Sequence, residues 1–119
     1  LGYHFNQPVT NLPINLISLT FTGIFNQSLD YLPTNLEKLI LDSWFNQELN
    51  NLPNSLKYLK ISSGYNKSLD MLPDSIIMID IIYYTNKINK LPTNINKIRI
   101  NEKYKQELLL LKPNIQILN

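Results

Sequence analysis

Few side chains in this sequence could perform acid–base or nucleophilic chemistry. His4 is the single histidine, cysteine is absent, and only three glycines occur among the 119 residues. Without cysteine, a thiolate nucleophile, a disulfide and a thiolate-bound metal are all excluded. The sequence contains neither a Gly-rich phosphate loop nor a nucleophile-elbow motif. Carboxylates are therefore the remaining candidates for a catalytic pair.

Asp30 and Asp70 occupy the same place in two similar segments, SLDYLP and SLDMLP. If these segments stack two layers apart at the spacing of neighbouring strands, the two carboxyl groups lie about 10 Å apart. That separation is close to the range for catalytic carboxylate pairs, but no sequence feature marks a pocket between them. His4 has no acidic residue at a matching position. We therefore predict that the protein is not an enzyme and has no cofactor or metal.

Overall charge and hydropathy argue against two further classes of function. The net charge is only +2 and the lysines are scattered, so we predict no nucleic-acid binding. No apolar run approaches the roughly 20 residues that a membrane-spanning helix needs, so we predict no membrane contact. The two longest runs, SIIMIDIIYY and LLLLK, are predicted to be buried strand or turn. The lack of cysteine and of a secretory signal favours an intracellular, cytoplasmic protein.

A repeat of about 20 residues organises the whole chain. Each unit opens with an aromatic–Asn pair, continues with Leu-Pro and ends with the apolar triplet L-x-x-L-x-L. The opening column contains Phe5, Phe25, Phe45, Tyr65, Thr85 and Tyr104, and the triplets begin at Leu16, Leu36, Leu56, Ile76 and Ile95. We predict a single repeat domain, 1–119, with units at about 5–24, 25–44, 45–64, 65–84 and 85–103, a degenerate unit 104–119, and 1–4 as the tail of a preceding repeat.

The repeating unit predicts the fold. The L-x-L alternation is that of a strand with one buried face, and the upstream proline delimits that strand because it cannot donate a backbone hydrogen bond. A unit of this size cannot bury its apolar face alone, so neighbouring units must stack. We predict a right-handed leucine-rich-repeat solenoid with one parallel β-sheet and little or no α-helix.

The recurrent FNQ opening, the LP pair and the NL or SL before each strand resemble the FNIP repeat, a subfamily of leucine-rich repeats. Such repeats are typical of social amoebae and of the giant DNA viruses of amoebae. In that family the repeats often follow an F-box, which implies substrate recognition in a ubiquitin ligase. The 119 residues contain no F-box, which would have to lie upstream. A viral origin would imply the host cytoplasm or the virion as the location.

Two of the repeated columns have structural interpretations. Phe5, Phe25, Phe45 and Tyr65 are predicted to stack as a spine of rings inside the solenoid, where ring contacts add to burial. The Asn column is predicted to satisfy turn N–H and C=O groups that no strand partner reaches; it contains Asn6, Asn26, Asn46, Asn66 and Asn86. Identical repetition is what packing requires, so we assign neither column to ligand binding.

The outward positions of the strands vary between units, whereas the buried columns do not. If Leu39 and Leu41 point inward, Lys38, Ile40 and Asp42 point outward on the concave face. An apolar diagonal with charged flanks is typical of a protein-binding patch, and ordinary solvated surface is the alternative. The predicted partner-binding residues are Lys38, Ile40, Asp42, Tyr58, Lys60, Met78, Asp80, Ile82, Lys97 and Arg99.

We therefore predict a non-catalytic protein–protein interaction module that binds a protein partner through the concave face of its sheet. That face measures about 400 Å², about half of what one partner contributes to a standard interface. Binding would be weak unless a longer array or neighbouring copies contribute. Two alternatives remain, namely the substrate-recognition part of an F-box ubiquitin-ligase adaptor and a structural component of a large viral assembly. The second alternative includes self-association through open solenoid ends.

Overall fold

Six short strands stack in chain order to form one parallel sheet. The structure is a computed structural model that describes residues 1–118, so the predicted last unit is described as far as Leu118. The strands are β1 (Ser18–Gly23), β2 (Lys38–Ser43), β3 (Tyr58–Ile61), β4 (Met78–Ile81), β5 (Lys97–Arg99) and β6 (Gln116–Leu118). Each strand pairs only with its neighbours in the sequence, in the order β1-β2-β3-β4-β5-β6. The predicted leucine-rich-repeat solenoid is confirmed.

The register of the sheet follows directly from the repeat length. Leu39 lies opposite Leu59, Leu59 opposite Ile79, and Ile79 opposite Ile98. Since side chains alternate between the two faces of a strand, a slip of one residue would expose this entire apolar set. The triplet residues of β2, β3 and β4 are all buried, so burial fixes the register in the central repeats.

A tight turn at each Leu-Pro pair leads the chain into the next strand. The carbonyl of Pro33 accepts a hydrogen bond from the N–H of Leu36 at 3.2 Å, and Pro53 and Leu56 repeat it at 3.2 Å. The N–H groups of Glu37 and Lys38 then both donate to the carbonyl of Ile17 in the preceding unit. The L-P-x-x-L pattern therefore encodes a four-residue hydrogen-bonded β-turn followed by strand pairing.

The predicted spine of aromatic rings is confirmed. The ring centroids of Phe5 and Phe25 lie 5.9 Å apart, those of Phe25 and Phe45 6.3 Å, and those of Phe45 and Tyr65 6.0 Å. The planes in these pairs differ by 5–10°, as expected for offset-stacked rings. Phe25, Phe45 and Tyr65 are almost completely buried, so the spine contributes to stability through both burial and ring contact.

The alignment of the opening column was wrong at one position beyond the predicted spine. Tyr84, not Thr85, continues the stack, with its ring centroid 6.5 Å from that of Tyr65 and 5.9 Å from that of Tyr104. Thr85 is exposed. The shortened unit therefore loses its residue in the turn after β4, before the aromatic column, because burying a tyrosine ring stabilises the stack far more than burying a threonine.

The predicted asparagine ladder is confirmed over its first four members. The side-chain oxygen of Asn6 accepts the N–H of Asn26 at 2.9 Å, Asn26 accepts Asn46 at 2.9 Å, and Asn46 accepts Asn66 at 3.1 Å. The ladder changes at Asn86, whose side chain instead donates to the carbonyl of Asn66 at 2.9 Å. The one-residue deletion before Tyr84 moves Asn86 out of register and so accounts for this change.

The last unit contains a helix where a strand or turn was predicted. A 3₁₀ turn at Glu102–Tyr104 leads into α1 (Lys105–Leu111). The interpretation of Leu108–Leu111 as buried strand or turn was wrong, because KQELLLL consists of strong helix formers and lacks the Leu-Pro pair that breaks the other units. Leu108 is buried and Leu110 is 85% exposed, so only one side of α1 packs on the solenoid.

The first residues of the chain lie alongside β1. The amino group of Leu1 donates to the carbonyl of Thr20 at 2.9 Å, and the hydroxyl of Thr22 donates to the carbonyl of Leu1 at 2.9 Å. The N–H of Ile24 donates to the carbonyl of Tyr3 at 3.0 Å. These contacts fix Tyr3 beside the end of β1, on the same rim of the sheet as Trp44.

Candidate protein-binding surface

The ten predicted partner-binding residues lie on one side of the sheet, opposite the buried triplets. Strand pairing aligns them in rows that run across the strands. The first row contains Lys38, Tyr58, Met78 and Lys97; the second contains Ile40, Lys60, Asp80 and Arg99; Asp42 and Ile82 follow at the ends of β2 and β4. We call this side the outer sheet face.

The first row contains an aromatic side chain held between a cation and apolar neighbours. The ammonium group of Lys38 lies 5.5 Å from the centroid of the Tyr58 ring, within the range of cation–π attraction. Burial raises the pKa of Tyr58, and the negative charge of Asp80 adds to that increase. Tyr58 and Met78 are both half-buried, so their positions are already restricted before any partner binds.

The second row contains the one ion pair found within residues 1–118. A guanidinium nitrogen of Arg99 lies 3.0 Å from a carboxylate oxygen of Asp80. Asp80 was predicted to be exposed, but only 7% of its surface is accessible to solvent. The prediction failed because strand alternation gives the face of a residue and not how its neighbours cover it. Asp80 therefore orients Arg99, and Arg99 rather than Asp80 is available to a partner.

The two carboxylates considered for catalysis instead stabilise turns. Asp30 accepts hydrogen bonds from Ser28 at 2.7 Å and from the side-chain amide of Asn51 at 3.0 Å, and these bonds lower its pKa. Burial would raise the pKa of Asp70, but hydrogen bonds from Asn89 and Lys90 outweigh burial and lower it. A lowered pKa is the opposite of what a general acid at neutral pH requires.

Neither a metal site nor a membrane-spanning helix is found in the described part of the chain. Residues 1–118 contain no group of three His, Cys, Asp or Glu side chains that could hold a metal ion. His4 is exposed and meets the ring of Tyr3 edge-on, with centroids 5.1 Å apart. Within the same range, no helix combines the length and the apolar character needed to cross a membrane.

Sequence reasoning missed a group of exposed aromatic residues just beyond the strand ends. Tyr3, Trp44 and Tyr83 lie on one rim of the sheet, beside two adjoining cavities of about 270 and 250 Å³. Both cavities are lined by Asp42, Ser62 and Ser63. Strand alternation could not find this rim because the residues lie outside the strands. The available signal was Trp44, which breaks a column that otherwise contains Ile24 and Gly64.

Comparison with known protein families and structures agrees with this geometry. The model of the FNIP Repeat matches residues 25–64 and 45–84, which together make up half of the chain. The chain belongs to the FNIP repeat family. The predicted resemblance is therefore confirmed by residues that include the FNQ openings at Phe25 and Phe45.

A solved leucine-rich-repeat structure is similar to this chain. The chain is 34% identical to CroV588, a giant-virus protein whose crystal structure is described as a novel circular LRR protein structure, with a TM-score of 0.77. The match covers 83% of this chain and 16% of CroV588, so this chain spans about a sixth of the length of that protein. No curated protein matches the sequence. The leucine-rich-repeat-like fold of these repeats is typical of non-catalytic interaction scaffolds.

Proposed function

We propose that this FNIP repeat protein is a non-catalytic, cytoplasmic interaction module that binds a protein partner through its outer sheet face. The observation that carries the proposal is the contrast between the two faces of one sheet. The inner face repeats the same apolar triplet, whereas the outer face differs in every strand at fixed register. A frame that repeats, combined with a surface that varies, is how solenoids present a specific binding surface.

The chemistry of the outer sheet face favours a protein partner. Ile40, Tyr58 and Met78 are half-buried and lie on three successive strands, so they offer apolar area at a small cost in side-chain entropy. Lys60, Lys97 and Arg99 surround this diagonal and can donate hydrogen bonds to carboxylates of a partner. Aromatic, methionine and arginine residues are the types most enriched in protein interfaces.

Selection of binding peptides tests the proposal. Peptides chosen from a randomised display library against the intact protein are titrated against a Tyr58→Ala, Met78→Ala variant. We expect loss of these two interface side chains to weaken binding by at least about tenfold.

A matched control is available on the same molecule. Tyr31 and Met71 are the same residue types, are exposed and lie before the Leu-Pro turns, outside the sheet. We expect a Tyr31→Ala, Met71→Ala variant to bind the selected peptides as the wild type does. Equal affinity of all three proteins would refute the proposal.

A second candidate is a structural role in a larger assembly, which the exposed side of α1 favours. In such an assembly, copies of the chain would associate tightly through solenoid ends or through the exposed leucines of α1, Leu109–Leu111. Sedimentation equilibrium of the purified protein tests this role. A single monomeric species at high micromolar concentration would exclude it.

A further inference from the structure

The two adjoining cavities beyond the strand ends form a continuous groove, which we call the rim groove. The cavity of about 270 Å³ lies between Tyr3 and Trp44, and the cavity of about 250 Å³ extends to Ile82 and Tyr83. Trp44 is 73% exposed, Tyr83 68% and Tyr3 57%. Burial in the core does not account for these three large rings, because most of each ring surface faces solvent.

The backbone at Tyr83, on the adjoining part of the rim groove, adopts a conformation that is costly for a residue other than glycine. Tyr83 has a φ of 64°, close to the 66° of Gly23 at the equivalent turn position three units earlier. Glycine adopts this left-handed conformation freely, whereas tyrosine adopts it against steric resistance. A strained residue whose side chain gains little burial is a feature found at binding sites.

Two glycines lie next to the aromatic rings of the rim groove. Gly64, with a φ of 95°, lies between Trp44 and Tyr83 in the stack, and a Cβ added there would meet no atom within 4 Å. Gly23 lies under Tyr3, where an added Cβ would be 2.0 Å from the Tyr3 carbonyl oxygen. The rings of Trp44 and Tyr83 therefore stand two repeats apart, about 10 Å by strand spacing, with no side chain at position 64 between them.

The charge of the Tyr3–Trp44 cavity is negative. Asp42 is the only charged side chain that lines it, beside Gly23 and the serines 43, 62 and 63. Asp42 is exposed, and the single ion pair within residues 1–118 is that of Asp80 with Arg99. Lys60 and Asp42 both line the adjoining cavity, but the two side chains form no ion pair in the described structure. The Asp42 carboxylate is therefore open to an external cation.

We propose that the Tyr3–Trp44 cavity binds an arginine or lysine side chain of the protein partner. The cation lies against the faces of Trp44 and Tyr3, where the ring quadrupole attracts it, and pairs with the carboxylate of Asp42. The exposed hydroxyl of Ser63 accepts one of its remaining N–H groups. This inference rests on the proposed function, since it specifies the chemistry of one part of the partner, and Asp42 belongs to both surfaces.

Trp44 provides the test, because it is the only tryptophan in the chain and its fluorescence reports directly on the cavity. The intact protein is titrated with a blocked Gly/Ser pentapeptide containing one central arginine, and with the same peptide containing glutamine or glutamate instead. We expect a saturable change in emission with the arginine peptide, several-fold weaker binding of the glutamine peptide and none of the glutamate peptide. Added salt should weaken the arginine complex.

Two variants test whether the arginine peptide binds beside Asp42. Asp42→Asn should lower the affinity for the arginine peptide about fivefold, as expected for loss of an exposed ion pair. Glu48→Gln removes the same charge from an exposed residue outside the cavity and should leave the affinity unchanged. Both variants should unfold at the temperature of the wild type, since neither substitution removes a core contact.

Each contrary result has a defined meaning. The absence of a saturable response to the arginine peptide, an equal response of Asp42→Asn, or saturation by a neutral oligosaccharide would overturn the cation site. Display-selected peptides that lack basic residues, yet still depend on Tyr58 and Met78, would also overturn it while leaving the proposed function intact. Failure of the proposed function appears separately, as insensitivity of those peptides to the Tyr58→Ala, Met78→Ala variant.

Discussion

The two faces of the sheet are built from alternate residues of the same strands, yet they follow opposite rules. On the inner face, Leu39, Leu59 and Ile79 are interchangeable members of one column and are completely buried. On the outer face, their neighbours Ile40, Lys60 and Asp80 differ in size and charge. The comparison teaches that positions with the same residue type in every repeat contribute to the stability of a solenoid. Candidates for recognition are the positions that fail to recur.

The largest difference in stability is expected between variants of two consecutive residues, one buried and one exposed. Phe45→Ala removes a buried ring from the spine and should lower the free energy of unfolding by about 3–5 kcal/mol. Trp44→Ala removes a larger but exposed ring and should change it by less than about 0.5 kcal/mol. Urea denaturation followed by far-ultraviolet circular dichroism measures both. Similar unfolding midpoints for Phe45→Ala and the wild type would contradict the interpretation that recurring positions stabilise the fold.

A smaller effect should separate two members of the asparagine column. Asn26→Ala leaves the N–H of Asn46 without its acceptor and also removes a contact with Gln47, so it should cost about 1–3 kcal/mol. Asn66→Ala should cost less, because Asn66 contacts Asn86 through its backbone carbonyl and not through its side chain. The same denaturation experiment compares the two variants. Equal losses of unfolding free energy in the two variants would contradict the interpretation that the ladder of side-chain hydrogen bonds ends at Asn66.

The smallest effect concerns pH and the turn carboxylates. Hydrogen bonds from Asn89 and Lys90 hold the pKa of Asp70 below its ordinary value of 3.8. The folded protein therefore binds this proton less readily than the unfolded chain, so the stability that Asp70 contributes is present above pH 4 and is lost as the pH falls through the folded pKa. Asp70→Asn should unfold more easily at neutral pH, and its stability should fall less steeply below pH 4. The prediction would be contradicted if the free energies of unfolding of the wild type and of Asp70→Asn fell equally steeply below pH 4.

The buried columns of the repeat were predictable from the sequence, because stacked repeats of the same shape need the same contacts in each repeat. The spine from Phe5 to Tyr65 and the ladder from Asn6 to Asn66 both follow from spacing alone. Prediction failed where the repeat itself changes. A deleted residue could have been placed on either side of the aromatic column, and only the packing of the Tyr84 ring against Tyr65 decides between them.

The candidate binding surface was less predictable than the fold. Alternation correctly gave the face on which Asp80 lies, but its burial depends on how Arg99 lies across it. The rim groove depends on the backbone conformations of Gly64 and Tyr83 and on how the Tyr3 ring lies over Gly23. Such three-dimensional arrangements leave no periodic signal, so a single sequence does not reveal them.

The central claim is that the outer sheet face binds the partner, and the most direct test is an NMR map of backbone amide shifts. A display-selected peptide is added to the isotope-labelled protein, and the shifted amides are assigned. The account predicts the largest shifts in strands β2 to β5, at residues such as Ile40, Lys60 and Arg99. Shifts confined to the turns around Tyr31 and Met71, with the strands unaffected, would contradict it.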